Sequence, residues 1–224
     1  IEVGVSSRDE DQEQIHCQCR AYFCEETRPT PIDLRGLSTE MTSGSQSASA
    51  LYTGLSDIGL ELGESFQCLT EFSHGKEAFL THLHLPAGLA GDLDSYHLHP
   101  GLLDSALHPS FNLLAGFTSA PKQLVLPFAL KSLRILGRCT EKMFSWVRYA
   151  AASGDGTQSL ELDMDLCDEQ GNVCVQMRGF CFRDLTEESR LTQGSATQED
   201  SAVGPQSFVP VWTPLRIDEE YPDN

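Results

Sequence analysis

Two histidine pairs, one serine, a set of thiols and one Asp–His spacing are the features of this chain that could do chemistry. His82-Leu83-His84 and His97-Leu98-His99 each set two imidazoles two residues apart. On a strand or strand end both members of such a pair face one side, a geometry that could hold zinc. No Cys or acid completes a familiar zinc spacing, so no metal site is expected. Ser105 lacks the GxSxG elbow that would mark it as a nucleophile. The eight Cys, at 17, 19, 24, 68, 139, 167, 174 and 181, contain no CxxC and lie mostly in alternating apolar runs. They read as small buried hydrophobes of a reducing compartment. Asp104 and His108 stand four apart, so on a helix they share a face and can touch. Taken alone, Asp104 could equally be a charge placed for the helix dipole, and His108 a core or surface histidine.

The elements that must hold these residues follow from periodicity. Residues 99–114 are the most helical, with Leu103, Ala106, Leu107 and Leu114 on one face. Pro100 suits a first helical turn, and Pro109 predicts a kink or break. A second helix is expected over residues 50–59, with Leu51, Leu55 and Ile58 on one face, Ser45 or Ser47 as its cap and Gly59 as its stop. Residues 1–5 and 14–23 predict two strands joined by a charged loop at 7–13, the second strand carrying Ile15, Cys17, Cys19, Ala21 and Phe23 on one apolar face. A Pro-rich connector at 28–34 should cross a surface in extended form. Residues 66–73 and 77–85 predict a hairpin around His74-Gly75. Residues 124–128, 130–136, 144–151, 159–167 and 173–182 predict further strands, the last two joined by the turn Asp168-Glu169-Gln170-Gly171-Asn172. A mostly antiparallel sheet wrapped around a long central helix is a hot-dog arrangement, of the α+β class.

Composition bounds the function. The 224 residues suit one domain, or one and a fragment. A net charge of −18 repels phosphate backbones, so no nucleic-acid partner is expected. No apolar run approaches the roughly 20 residues that cross a bilayer, so no membrane partner is expected either. The opening Ile1-Glu2-Val3-Gly4-Val5 does not read as a signal peptide. It looks like the middle of a longer chain, and a cytoplasmic location is expected. Residues 184–207 are rich in Ser, Thr, Gln, Gly and acids without periodicity and read as a flexible linker.

The run His99-Pro100-Gly101-Leu102-Leu103-Asp104-Ser105-Ala106-Leu107-His108 resembles the HPxLLDxxxQ/H motif of polyketide synthase dehydratase domains. Other stretches agree with that family in order and spacing. His16-Cys17-Gln18-Cys19-Arg20-Ala21 looks like the closing strands of a first hot dog. Gly59-Leu60-Glu61-Leu62-Gly63-Glu64-Ser65-Phe66-Gln67 is similar to the GYxYGPxFQ motif. Leu126-Pro127-Phe128 looks like the LPF strand, and Gly171-Asn172-Val173-Cys174-Val175 with Gly179-Phe180 like the closing hairpin. Pro210-Val211-Trp212-Thr213-Pro214-Leu215 is similar to the strand that opens a ketoreductase structural region.

The resemblance implies the second half of a double hot dog. Residues 1–37 would then be the last strands of the first hot dog and a connector, 38–185 the second hot dog, 186–207 a linker, and 208–224 the start of a ketoreductase-like region. It implies a lyase of a modular, multifunctional synthase of the antibiotic-producing kind. The substrate would be a 3-hydroxyacyl thioester on the phosphopantetheine of an acyl carrier protein, with no further cofactor. Asp104 matches the acid that protonates the departing hydroxyl, and His108 the Gln/His that supports it. Leu60, Leu62, Phe66, His99, Pro100 and Leu103 would line the substrate's path. A general acid must hold its proton near neutral pH. Asp104 is placed in the first helical turn, where the dipole opposes this, so it should point into a largely dry channel. The implied partners are the loaded carrier protein, the first hot-dog half, neighbouring synthase domains and a second copy in a homodimer. The partner base belongs to an HxxxGxxxxP motif that no His here satisfies. Leu60, Leu62 and Glu64 replace the motif's two Tyr and its Pro. Double-bond isomerisation, pyran-type cyclisation, branching conjugate addition, or a hot dog that only docks partners are therefore alternatives.

Overall fold

The alternating apolar runs form strands, which in the computed structural model pair into two antiparallel sheets among the described residues. The structure describes residues 1–9, 12–23, 28–114, 125–150 and 161–184. By its contacts the chain divides into Ile1–Leu185 and Thr186–Asn224. The second unit lies outside the described residues, as do the linker expected beyond residue 184 and the ketoreductase-like segment.

The first sheet is a ribbon of β1 (Glu2–Asp9) and β2 (Gln12–Arg20). The pairs Val3–Cys19 and Val5–Cys17 put the apolar residues on one face, as the alternation predicts. Two expectations fail here. The strands run through most of the charged stretch given to a loop, because Ser6 donates to Glu13 at 2.9 Å and His16 meets Ser7 at 2.7 Å across the ribbon. Cys17 and Cys19 are exposed rather than buried. A two-stranded ribbon has only one partner strand per strand and no second layer of its own.

The second sheet has seven strands: β3 (Gly44–Ser47), β4 (Leu69–His74), β5 (Ala78–His84), β6 (Val125–Ile135), β7 (Lys142–Tyr149), β8 (Glu161–Cys167) and β9 (Val173–Asp184). Their order is β3-β4-β5-β7-β8-β9-β6. The hairpin at His74-Gly75 and the turn at Asp168–Asn172 form as expected, Asp168 accepting from the backbone N–H of Gln170 and Asn172. Gly171 is required there. Its φ is 81°, and a Cβ would run into the Ile32 carbonyl. The two strands expected over 124–136 are one strand, β6, with a register shift between Pro127 and Ala129 that accommodates the proline.

Four helices accompany the sheet. The connector is not wholly extended: Asp33 caps α1 (Leu34–Glu40) by accepting from Gly36 N at 3.0 Å. This helix carries Leu37 onto Leu80 and Met41, a small second core. Ser47 caps α2 (Ala48–Asp57), which buries Leu51 and Leu55. The long helix splits at Pro109 as expected, into α3 (Pro100–Leu107) and α4 (Ser110–Leu114). The α3 helix lies against β4, β5 and β7, with Leu102 and Ala106 fully buried. Each such leucine is worth about 1.5–3 kcal/mol of burial. Among the described residues no helix is long and apolar enough to cross a membrane.

Candidate active site

The α3 helix is pinned before it is packed. His99 is its N-cap, buried, with Nδ1 accepting from Gly101 N at 3.2 Å and its ring edge-on to Tyr96. Burial lowers the His99 pKa, so the ring stays a neutral acceptor. Pro100 follows at the first helical position and is exposed. Gly101 must be small, because a Cβ there would strike the Ser65 carbonyl. His99 and Pro100, expected along the substrate's path, are thus in place as the start of the helix.

Ser105 ties the middle of α3 to the segment before β4. Its fully buried hydroxyl accepts from Cys68 N at 3.0 Å and donates to the Phe66 carbonyl at 2.9 Å. These bonds fix the neighbouring Asp104. That residue stands in the second turn, not the first, and the first turn holds no acid. The helix dipole acts within the first turn, and Asp104 lies beyond it.

Asp104 and His108 do touch: Nε2 lies 3.0 Å from Oδ2. The two ends of this pair differ. The His108 side chain is 4% exposed, whereas that of Asp104 is 48% exposed. Among the described residues no largely dry channel surrounds Asp104: its side chain is held on the His108 side and half of it is exposed. The buried His108 Nδ1 has no hydrogen-bond partner among the described residues. An orphan lone pair costs less there than an orphan N–H, so the proton sits on Nε2 and is donated to Asp104.

Tyr52 on α2 completes the cluster and was missed in the sequence. Its ring meets His108 edge-on at 5.7 Å between centroids and 80° between planes. Its hydroxyl accepts from Leu69 N at 3.2 Å. Burial raises the Tyr52 phenol, and likewise the Cys68 thiol beside it. The available signal was its place next to Leu51 on a helix that buries Leu51 and Leu55. Tyr52 also lines a cavity of about 260 Å³ with Ser56, Leu60, Glu61, Leu62 and Gln67. Leu60 and Leu62 are thus pocket-lining residues, partly buried against the core. Phe66 is exposed, in a short 3-10 turn over Glu64–Phe66 rather than at the start of a strand. Leu103 packs partly buried against the core. Among the histidine pairs, His82 meets Glu71 at 3.4 Å and Phe144 edge-on, and His84 is exposed.

Residues 31–192 match the family described as the polyketide synthase dehydratase N-terminal domain. The chain is 33% identical over 226 aligned positions to the polyketide synthase PksM of Bacillus subtilis, covering 98% of this chain and 5% of that protein. It is 31% identical to PksN of the same organism, covering 98% of this chain and 4% of that one. Among solved structures, a trans-AT polyketide synthase dehydratase domain from Brevibacillus brevis superposes with a TM-score of 0.73 at 32% identity, over 83% of this chain and 65% of that one. The dehydratase domain of the CurF module of curacin polyketide synthase shares the fold, with a TM-score of 0.70 at 21% identity over 83% of this chain and 64% of that one.

Proposed function

Because the chain belongs to the polyketide synthase dehydratase family, we propose that it supplies the acid half of a reaction removing water from a 3-hydroxyacyl thioester. The single observation that carries this reading is the Asp104–His108 pair, one carboxylate oxygen held at 3.0 Å by a buried imidazole and the rest of the carboxyl half open. In the proposed step a base takes the α-proton of the acyl chain. The electron pair becomes the new C=C bond, and the C–O bond at carbon 3 breaks. Asp104 gives its proton to the departing hydroxyl, which leaves as water. His108 donates from Nε2 to Oδ2, so the transferable proton is carried on Oδ1, toward the open side.

The base fits a His of a first hot dog, of which the ribbon at residues 1–37 would be the closing part and residues 38–185 the second hot dog. The substrate fits a chain carried on the phosphopantetheine of an acyl carrier protein, within a larger, cytoplasmic, homodimeric synthase. The reaction is redox-neutral and calls for no further cofactor. Apposition of the first hot dog and entry of the acyl arm would cover the exposed half of Asp104. Shutting out water favours the neutral acid over its carboxylate.

The test uses the full-length protein that contains this chain and a 3-hydroxyacyl carrier-protein thioester. Mass spectrometry of the acyl arm should show loss of water from the wild type and none from Asp104→Asn. An unchanged rate in Asp104→Asn would remove the acid assignment. A shifted double bond, a ring or a branch formed without loss of water would assign one of the variant chemistries, and an unaltered arm a docking role.

A further inference from the structure

Among the described residues His108 has one polar tie: Nε2 holds Asp104, and Nδ1 is buried with no hydrogen-bond partner. A single hydrogen bond leaves an imidazole free to swing about it, so something else must fix the ring plane. The Tyr52 ring stands against it at 80°, the edge-to-face arrangement that aromatic quadrupoles favour.

The Tyr52 oxygen accepts from Leu69 N at 3.2 Å, which anchors the residue to the start of β4. Ser105, one residue from Asp104, donates to the Phe66 carbonyl at 2.9 Å and accepts from Cys68 N at 3.0 Å, which anchors α3 to the same segment.

We infer that Tyr52 is a positioning residue: its ring sets the plane of the His108 imidazole and, through it, the direction of the Asp104 carboxyl. This deepens the acid assignment for Asp104 and rests on it. Tyr52 also borders the 260 Å³ cavity, so the same ring forms part of that cavity's wall and of the support for the acid.

The experiment is a mutant cycle on the full-length protein with a 3-hydroxyacyl carrier-protein thioester. Tyr52→Leu removes the ring, Tyr52→Phe keeps the ring and removes the hydroxyl, and His108→Gln keeps an amide donor but nothing for the ring to hold. Tyr52→Leu is expected to lower kcat roughly 10- to 100-fold with little change in KM, since a misdirected acid costs about that much. Tyr52→Phe, which orphans the same Leu69 N–H, should stay within about threefold of wild type. In the His108→Gln background, Tyr52→Leu should cost less than about threefold, because residues acting through one another are not additive. Equal losses in Tyr52→Leu and Tyr52→Phe, or a full additional loss in the His108→Gln background, would overturn the inference. If Tyr52→Leu does not fold, Tyr52→Phe decides: retained kcat supports the ring's role, and a tenfold loss overturns it. Asp104→Asn run alongside separates the two readings. If it is as active as wild type, the acid assignment itself has failed and this inference with it. If it is inactive while Tyr52→Leu is unimpaired, only this inference falls.

Discussion

Two aspartates, Asp165 on β8 and Asp104 on α3, use the same side chain for opposite ends. The Asp165 side chain is 5% exposed and fully occupied. Its Oδ1 accepts from Gln176 Nε2 and Arg178 Nη2, both at 2.7 Å, and its Oδ2 meets Arg148 Nη2 at 2.8 Å. The partners are themselves held. Arg178 donates to the carbonyls of Met164 and Met177, Arg134 donates to Gln176, and the Arg148 guanidinium lies 3.8 Å over the Trp146 ring. Asp104 has one partner, and no hydrogen bond among the described residues reaches its Oδ1. A carboxylate held on both oxygens by two guanidiniums and an amide ties the strands of the sheet together. A carboxyl held by one oxygen is directed, while its other oxygen stays open to a reactant.

The sharpest way to break this contrast is to make the same change at both sites. Asp104→Asn should cost about 10²–10⁴-fold in turnover, the usual worth of a general acid, and shift folding stability by no more than about 0.5 kcal/mol. Asp165→Ala should do the reverse: a loss of about 3 kcal/mol in urea unfolding, because Arg148 loses its counter-charge and Arg178 keeps only Asp163, 3.8 Å away. That figure is the low end for a buried network, since the two arginine side chains keep 23% and 32% exposure. If Asp104→Asn unfolded the protein instead, the open carboxyl would be a structural group and the distinction would be void.

The sequence carried the Asp104 side of this comparison better than the Asp165 side. The i, i+4 spacing, the proline start and the break at Pro109 are local, and local geometry alone dictates them. The Asp165 network joins residues from β6, β7, β8 and β9, and only the strand register brings them into line. The same limit explains Tyr52, whose hydroxyl accepts from Leu69 N and whose ring meets His108, both far off in sequence, and α1, whose apolar face becomes evident only once Leu80 lies under it. Exposure was misjudged at both ends of the chain's polarity scale. The alternation in β2 correctly gave one apolar face but not whether anything packs on it. The need of a general acid to keep its proton called for a dry channel around Asp104, yet Leu102 and Ala106 turn into the core while the carboxyl stays half exposed.

A milder test lies between the two aspartates. Ser105 is a buried, fully bonded hydroxyl like the groups around Asp165, yet it sits one residue from the open acid. Ser105→Ala leaves the Cys68 N–H and the Phe66 carbonyl without their partner. A loss of about 1–3 kcal/mol in stability is expected from such orphaned groups, with turnover lowered less than in Asp104→Asn. Unfolding curves and single-turnover rates on the same preparation check it. A loss of turnover as complete as that of Asp104→Asn, at unchanged stability, would place Ser105 in the chemistry and blur the division.

The thiols repeat the contrast with the smallest effect. Burial pushes Cys167 up to about 12 and Cys139 up to about 11, from an ordinary 9.0, whereas Cys17 and Cys19 on the ribbon are exposed. In the folded chain the two buried thiols keep their protons well past the pH at which they ionise in the unfolded chain. Between these limits the unfolded state binds fewer protons, so stability must fall as pH rises above 9 and is unaffected well below it. At pH 9 the loss is about half a kcal/mol per thiol and grows with each further step in pH. Urea midpoints at successive alkaline pH values should trace that decline. Alkylation at about pH 8, read by mass spectrometry, should modify Cys17 and Cys19 while Cys139 and Cys167 wait for unfolding, because the thiolate is the reacting form and neither buried group supplies it. Equal rates at Cys17 and Cys167 in the native protein would mean that the sheet around β8 opens as readily as the ribbon, and the closed character ascribed to the Asp165 region would fail with it.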